Sequence, residues 1–316
     1  VGPNVSAVDE FGSMYGTGQG TGVVRGAVGP FAAMTAQNVV RVDEQGQPHT
    51  LMVVQRYLDN QGDAWQWTLN TLDRAIRDET VKVIILGADG RNFSAGHDIA
   101  NTVAEYQAST KANSPGVSTW SDFTEEYTHG WYAAEKETYL ESARRWRNIS
   151  KPTICTVQGK CIAGALVFAW VCDIIVAAKD ALFSDPVVNF GVSGVEWFGH
   201  PWELGARKAK EFLFTADSWT AEEAHRLGMV NHVVERDEMD EFALNMAIKI
   251  AAKPAFALKL AKEAVNKTLD MQGQMNAIDQ AFSLHHLCHN QNFRKFNYGM
   301  DPTNLPSFAS APKKDT

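Results

Sequence analysis

One long apolar stretch, residues 161–178 (CIAGALVFAWVCDIIVAA), limits the possible folds more than any other segment. It carries a single charge, Asp173, and a carboxylate near the middle of a membrane span would be costly in lipid. We therefore predict a buried part of a soluble core, with a short helix over 165–171 and a strand over 174–177. Gly164 lies where that helix begins, and unpaired backbone N–H groups at such a position can hold an oxyanion.

The composition excludes several classes of partner. A net charge of -8 and a pI near 5.6 argue against nucleic acid, since binding to phosphates needs a basic surface. The four cysteines form no CxxC pair, which is typical of reduced core residues. The first residues have neither the basic nor the apolar region of a signal peptide. We expect a cytoplasmic protein with no membrane partner.

The order of apolar and polar segments predicts an α/β architecture. Buried strands alternate with amphipathic helices, which favours mainly parallel pairing. A polar EQGQP turn separates two β-prone runs near the N-terminus, which suggests a hairpin. We expect strands over 38–43, 50–55, 81–87, 153–158, 181–184 and 229–234, and helices over 131–147, 203–214, 220–228, 237–252, 254–269 and 275–290. In domain terms, we expect a flexible arm over 1–37, a core over 38–252, a helical subdomain over 253–300 and a tail over 301–316.

Some details of these helices are also predicted. Thr220 and Glu223 have the spacing of a capping box, and Gly228 would close that helix. On the helix over 131–147, Glu141 and Arg145 have the spacing of an i,i+4 ion pair. The polar, irregular segment from 101 to about 129 indicates a long loop that covers a site.

Three patches in order carry a family resemblance. They are FSAGHDI at 93–99, KPTICTVQGKCIAGALVFAWVCDIIVAA at 151–178, and TAEEAHRLGMVNHVV at 220–234. Together they resemble the crotonase superfamily, the enoyl-CoA hydratase/isomerase group. The resemblance implies a spiral of repeated ββα units with a helical C-terminal part, and trimers that pair into hexamers.

The resemblance also implies a chemistry. In that family two backbone N–H groups hold a thioester oxygen as an enolate, and here they would belong to His97 and Gly164. Ala95, His97, Asp98 and Ile99 would line the path of the CoA adenine and pantetheine. The implied substrate is an acyl-CoA or a related carbonyl compound, with CoA as part of the substrate and no other cofactor.

The sequence departs from the family pattern at the acids. The two glutamates of a typical hydratase align with Val167 and Val187, and a valine cannot transfer a proton. The nearest acid is Glu196, close to where isomerase and dehalogenase relatives carry a catalytic aspartate. We predict Glu196 as the acid/base; a surface or salt-bridged carboxylate is the alternative.

The His97 ring has two interpretations. A histidine at this position is similar to the methylmalonyl-CoA decarboxylase pattern, in which the ring donates a proton, but the tyrosine of that pattern aligns with Gly194. Otherwise the ring packs or forms hydrogen bonds. The family's Asn-Arg-Pro after the first hairpin is also replaced, around residues 55–58.

Other residues are weaker candidates. Asp185, before Pro186, is typical of a turn but could enter the pocket. Trp197, which we include among the substrate-binding residues, lies near Glu196 together with His200 and Trp202. His285 and His289 are four apart on one helix face, a spacing that can bind zinc. Since the sequence offers no third ligand, we expect no metal.

The sequence therefore predicts an acyl-CoA lyase or isomerase that stabilises an enolate, with an acid/base at a new position. The Tyr- and Trp-bearing insertion over 101–146 suggests a bulky or cyclic acyl group. A C–C bond hydrolase of the same fold, acting on a cyclic β-diketone, is one alternative. A non-catalytic scaffold that keeps the fold is the other.

Overall fold

The computed structural model describes residues 39–42, 48–51, 72, 75–88, 90–97 and 119–304 of the 316-residue chain, the first two ranges through their backbone only. The predicted arm over 1–37, most of the predicted loop over 101–129 and most of the predicted tail lie outside the described residues. The proposed domain boundaries stay predictions.

The described strands form two sheets. They are β1 (Val39–Val42), β2 (Pro48–Leu51), β3 (Val81–Leu86), β4 (Thr153–Val157), β5 (Lys160–Ile162), β6 (Ile174–Ala178), β7 (Leu182–Ser184), β8 (Trp219–Thr220) and β9 (His232–Val234). The larger sheet has the order β2-β1-β3-β4-β6-β9, and β5, β7 and β8 form the smaller one. The β3-β4-β6-β9 part is parallel, as expected, whereas β1 pairs antiparallel with both β2 and β3.

The predicted strands differ from the observed ones at their ends. The N-terminal hairpin is confirmed, but its second strand already begins at Pro48. Strand β5 was not expected, because it has only three residues and its last residue lies in a segment predicted to be a turn before the helix. The strand predicted over 229–234 is limited to His232–Val234, since Met229 and Val230 turn back onto the preceding helix.

The helices follow the predicted order. They are α1 (Tyr127–Glu135), a π-helical segment (Lys136–Glu141), α2 (Ser142–Arg147), α3 (Gly164–Trp170), α4 (His200–Leu204), α5 (Ala206–Thr215), α6 (Ala221–Leu227), α7 (Met239–Ala251), α8 (Ala255–Met271) and α9 (Gln274–Phe296), with 3₁₀ turns at Pro186–Phe190 and Pro302–Asn304. The helix predicted over 203–214 is two helices, because Gly205 leaves the helical conformation at φ +74°. In the described part of the chain, no helix is long and apolar enough to cross a membrane.

The helix predicted over 131–147 is confirmed as α1, the π-helical segment and α2. The predicted ion pair is wrong in its partner: Glu141 contacts Arg144, at 3.4 Å, rather than Arg145. Glu141 is the last residue of the wider π-helical segment, so spacing rules for a regular α-helix do not hold there. The capping box is confirmed, since the Thr220 hydroxyl accepts a hydrogen bond from the Glu223 N–H.

The apolar stretch over 161–178 lies at the centre of the structure, as predicted. Its helix α3 packs in the main core with side chains of β4, β6 and β7, and Leu166 and Phe183 are fully buried there. Helix α7 covers the other face of the larger sheet through Ala243 and Ala247. With both faces covered, the parallel strands bury apolar residues almost continuously, which explains their uniformly hydrophobic sequences.

Asp173, the single charge of the apolar stretch, joins three elements at the start of β6. Its carboxylate accepts hydrogen bonds from the Thr153 N–H and hydroxyl, at 2.8 and 3.0 Å. The Lys262 ammonium of α8 lies 2.8 Å away. Asp173 therefore has a structural role.

We expect Asp173→Asn to lower the free energy of unfolding by about 1–3 kcal/mol, because the largely buried Lys262 ammonium loses its counter-charge. Urea unfolding measures the change. The matched control is Asp279→Asn, which removes the partner of Arg144 at a more exposed site and should cost below about 1 kcal/mol. Equal effects of the two variants would contradict the anchoring role of Asp173.

Candidate active site

The site begins where the chain after β3 runs beside β5. The Ser94 N–H donates to the Lys160 carbonyl, and the Ser94 carbonyl accepts from the Ile162 N–H, both at 3.0 Å. This pairing brings the next residues of both segments together. At Gly96, with φ +87°, a methyl group would lie 2.9 Å from the Gly164 nitrogen. Only glycine fits that backbone conformation and that close approach.

Two backbone donors lie at this junction. Gly164 is the first residue of α3, where N–H groups lack intrahelical acceptors. Within the described part of the chain, neither the Gly164 N–H nor the His97 N–H has an acceptor. These are the two groups that the sequence predicts as the oxyanion hole. The structure brings residues 96 and 164 into contact, and the binding of an oxyanion there stays a prediction.

The His97 imidazole is held on three sides. A methyl group on Gly164 would lie 2.8 Å from Cε1 and 2.9 Å from Nδ1 of the ring, so the ring lies directly over the Gly164 Cα. The Tyr139 ring meets it edge to face, with centroids 4.3 Å apart. On the third side, Nε2 lies 3.1 Å from Oε1 of Glu196. The side chain of Glu196 is 4% exposed and that of His97 is 25% exposed, so the carboxylate lies behind the ring.

The two groups hold each other in charged forms. Burial alone would lower the pKa of His97, but the charge of Glu196 and its close contact outweigh burial and raise that pKa above 6.5. Burial alone would also raise the pKa of Glu196, yet the charge of His97 and the same contact bring it below 4.5. An imidazolium–carboxylate pair beside two free N–H donors can stabilise an oxyanion and transfer a proton.

Buried polar groups fix the segment that carries Glu196. The Val195 N–H donates to Oδ2 of Asp185, at 3.1 Å, and the same oxygen lies 2.9 Å from Nε2 of His200. Asp185 and His200 are fully buried. Asp185 therefore holds the backbone next to Glu196, a function that its position before a proline did not indicate.

One residue earlier in the same segment, the Gly194 carbonyl accepts a hydrogen bond from Nδ1 of His285, at 2.7 Å. His285 belongs to a second acid–histidine group, in which its Nε2 lies 3.0 Å from Oε2 of Glu135. Burial alone would lower the pKa of His285, but Glu135 outweighs it and raises that pKa to about 9. The pKa of the Glu135 carboxyl is held well below 4.5, since nearby histidines outweigh its burial.

The remaining predicted residues are placed as follows. Val167 is buried in α3 and Val187 packs against the main core, so both positions are apolar. Trp197 is 2% exposed within the core, and its predicted contact with substrate stays a prediction. Asp98 and Ile99 lie outside the described residues. Ala95 is exposed beside the junction.

Sequence reasoning missed Tyr139 and Glu135. Neither lies in a recognised motif, and the π-helical segment that turns Tyr139 toward His97 has no clear sequence signal. A glutamate among the apolar residues of α1 was a possible signal for Glu135, because an acidic side chain is rarely buried without a partner.

Comparisons with known proteins show the family to which the chain belongs. The family profile described as Enoyl-CoA hydratase/isomerase matches residues 118–303. A Mycobacterium tuberculosis protein provisionally named enoyl-CoA hydratase EchA13 is 39% identical over 246 residues, 75% of this chain and 76% of the relative. The crystal structure of a probable enoyl-CoA hydratase from Mycobacterium thermoresistibile matches with a TM-score of 0.70 at 39% identity, covering 84% of this chain and 99% of that one.

A relative with another named activity also matches. The (7aS)-7a-methyl-1,5-dioxo-2,3,5,6,7,7a-hexahydro-1H-indene-carboxyl-CoA hydrolase of Mycobacterium tuberculosis is 31% identical over 226 residues, 70% of this chain and 81% of the relative. The fold and the sequence matches together define a crotonase-type α/β protein. The chain belongs to the enoyl-CoA hydratase/isomerase family, as its three sequence patches predicted.

We expect Gly164→Ala to destabilise the protein by about 1–3 kcal/mol, because the added methyl group overlaps the His97 ring. The free energy of unfolding is measured in a double-mutant cycle with His97→Ala. Removing the ring should relieve most of the cost of Gly164→Ala. An equal cost with and without the ring would show that the two residues are not in contact.

Proposed function

We propose that this protein is an acyl-CoA lyase or isomerase that stabilises a thioester enolate with the N–H groups of His97 and Gly164. The observation that carries the proposal is the buried His97–Glu196 contact of 3.1 Å, beside the first turn of α3. It supplies a proton-transfer group at a site where both aligned glutamate positions are valines. The substrate carries the CoA group, and the proposal needs no separate cofactor.

In this mechanism the proton passes through His97 rather than directly from Glu196. When a nucleophile adds to the β-carbon, the π electrons move to the thioester oxygen, where the two N–H groups stabilise the charge. The His97 imidazolium then gives its proton to the α-carbon, and the neutral ring takes up the proton that the added nucleophile releases; in reverse, neutral His97 removes the α-proton and returns it to the leaving group. Glu196 remains a carboxylate throughout, orienting the ring and stabilising its charged form, as the acid of a catalytic triad does.

The binding of CoA along Ala95, Asp98 and Ile99, and of the acyl group near Trp197, is part of the same proposal. Its support is the position of Ala95 next to the Gly96–Gly164 junction. We also propose a cytoplasmic location, which the four free cysteines support.

A C–C bond hydrolase is the second candidate, and the hydrolase relative from Mycobacterium tuberculosis favours it. In a β-diketone, cleavage of the bond between one carbonyl carbon and the shared α-carbon leaves the enolate of the other carbonyl group. The same N–H donors would hold that enolate, and the same His97 proton would protonate it. A scaffold is disfavoured. The His97–Glu196 pair lies beside the Gly96–Gly164 contact, and burying such a charged pair costs stability that a purely structural protein would avoid.

Mass spectrometry of acyl-CoA thioesters incubated with the protein in heavy water tests the enolate. We expect deuterium at the α-carbon, with the rate lowered by about 10²–10⁴-fold in Glu196→Gln, because the His97 ring loses its partner. Asp279→Asn, at a surface ion pair, is the control and should exchange normally.

The substrate panel separates the candidates. Mass gain of one water on a straight-chain enoyl-CoA would indicate hydration, and an α-labelled thioester with a shifted double bond would indicate isomerisation. Mass gain of one water on a cyclic β-diketone thioester alone would indicate the C–C hydrolase. No exchange and no mass change across the panel would contradict the enzyme and favour the scaffold.

The pH dependence of this exchange tests which group moves the proton. Exchange into a saturated thioester needs neutral His97 as the base, so its rate should rise with pH, with an apparent pKa above 6.5. In Glu196→Gln the carboxylate that stabilises the imidazolium is gone while burial remains. The rising limb should therefore move to lower pH; an unchanged limb would exclude His97 as the base.

We further propose that the protein is a homo-oligomer, a trimer or a hexamer. Helix α8 exposes Phe256, Leu260 and Val265, which are 72%, 48% and 62% exposed. Apolar side chains grouped on one helix mark a protein–protein contact.

Size-exclusion chromatography with light scattering tests the assembly. We expect Val265→Glu to shift the protein to smaller species, because a charge would be buried in the contact. Lys267→Glu, a charge change at another exposed position of α8, is the control and should have a smaller effect. A monomeric wild-type protein would contradict the proposal.

A further inference from the structure

Four donor atoms converge between α1 and α9, at the acid–histidine group beside the Glu196 segment. Oε2 of Glu135 lies 3.0 Å from Nε2 of His285, 3.2 Å from Nε2 of His286 and 3.6 Å from Nε2 of His289. The Nε2 atoms of His285 and His289 are 2.8 Å apart. All four side chains are buried, with exposed fractions of 6% or less.

Backbone carbonyls fix how two of these rings are protonated. Nδ1 of His285 lies 2.7 Å from the Gly194 carbonyl, and Nδ1 of His289 lies 2.5 Å from the Gly299 carbonyl. A carbonyl only accepts, so each Nδ1 carries its hydrogen and each neutral ring presents a lone pair at Nε2. If both rings are neutral, their two lone pairs lie 2.8 Å apart next to a carboxylate, and either a proton or a metal ion must lie between them. Carbonyl partners that orient ring nitrogens in this way are typical behind metal ligands.

His286 gives a second, independent observation. Its side chain is 3% exposed, and within the described part of the chain neither ring nitrogen makes a hydrogen bond of normal geometry. Its Nε2 still points at the same Glu135 oxygen. The other oxygen of Glu135 accepts a hydrogen bond from the Trp131 indole, which orients the carboxylate. A buried imidazole whose ring nitrogens make no well-formed hydrogen bond is costly unless a ligand completes it.

We propose that Glu135, His285, His286 and His289 form a binding site for one divalent cation of the zinc class. Imidazole nitrogens with a carboxylate oxygen are a donor set that suits zinc. Bonds of about 2.05 Å in a tetrahedron place neighbouring donors roughly 3.3 Å apart. Four of the six separations among these donor atoms are 2.8 to 3.6 Å and lie around that value. The sequence shows only the His285 and His289 pair; the fold adds Glu135 and His286.

The cation would have a structural role. It would join α1 to α9 and, through the carbonyls of Gly194 and Gly299, fix the segment that carries Glu196 and the chain after α9. This inference does not depend on the proposed reaction, because its readout is metal content and spectroscopy.

The test uses the full chain produced without a polyhistidine tag. Metal is measured by mass spectrometry in the purified protein. The chelator-stripped protein is then titrated with Zn²⁺ by calorimetry and with Co²⁺ by absorption spectroscopy. We expect one ion per chain, a tetrahedral type of Co²⁺ spectrum and a higher melting temperature with Zn²⁺, since binding to the native state stabilises it.

Ligand variants make the test specific. His286→Ala and His289→Gln should each weaken Co²⁺ binding by at least about tenfold, the loss already seen when groups behind metal ligands are removed. If either variant fails to fold, Glu135→Gln, which keeps the shape of the side chain, supplies the same readout. His232→Gln, at an exposed histidine of β9, is the matched control and should still bind one ion.

The proposal is overturned if neither Zn²⁺ nor Co²⁺ binds the stripped protein. It is also overturned if the ligand variants bind as tightly as wild type. The first result would leave a shared proton as the cation between His285 and His289, and the second would place the bound ion elsewhere.

Discussion

The contact between the His97 ring and the Cα of Gly164 is the constraint on which the site depends. It exists because Ser94 pairs with the β5 backbone, which carries residues 95–97 over the start of α3. The absence of a side chain at 164 lets the ring approach within van der Waals distance. The same approach places two N–H groups side by side and directs Nε2 toward Glu196. One backbone pairing thus positions the anion-binding donors and the proton-transfer group together.

Two buried acid–histidine groups lie on either side of the Gly194–Glu196 segment and influence each other. The charge of Glu135 raises the pKa of both His97 and Glu196, whereas the charge of His285 lowers both. Their opposite effects partly cancel, so the local His97–Glu196 contact decides the protonation of that pair. Burying these charges is tolerated because each carboxylate faces at least one imidazole. A change at the α1–α9 group would still be felt at His97.

The sequence predicted the fold well where a residue pattern reports directly on the backbone. The apolar stretch over 161–178 and the Thr220 cap have such local signals, whereas His97 and Gly164 were paired through the family resemblance. What the sequence could not predict was which distant side chains meet. Glu135 and His285 are 150 residues apart, and nothing in either segment specifies the other. Glu196 was identified because it lies near the position where relatives carry a catalytic aspartate. Its contact with the His97 ring became visible only in the structure.

The π-helical segment between α1 and α2 determines in which directions the side chains of the continuous helical region 127–147 point. Each residue of an α-helix advances the side chain by about 100°, so a single extra residue in one turn rotates everything beyond it. Before the segment, Glu135 points to the α9 histidines; within it, Tyr139 meets His97; after it, Trp146 enters the core. A regular helix of the same sequence could not keep all three directions. One wide turn therefore sets the directions of the side chains on both sides of it, so that a single helical segment contributes to two buried polar sites and to the hydrophobic core.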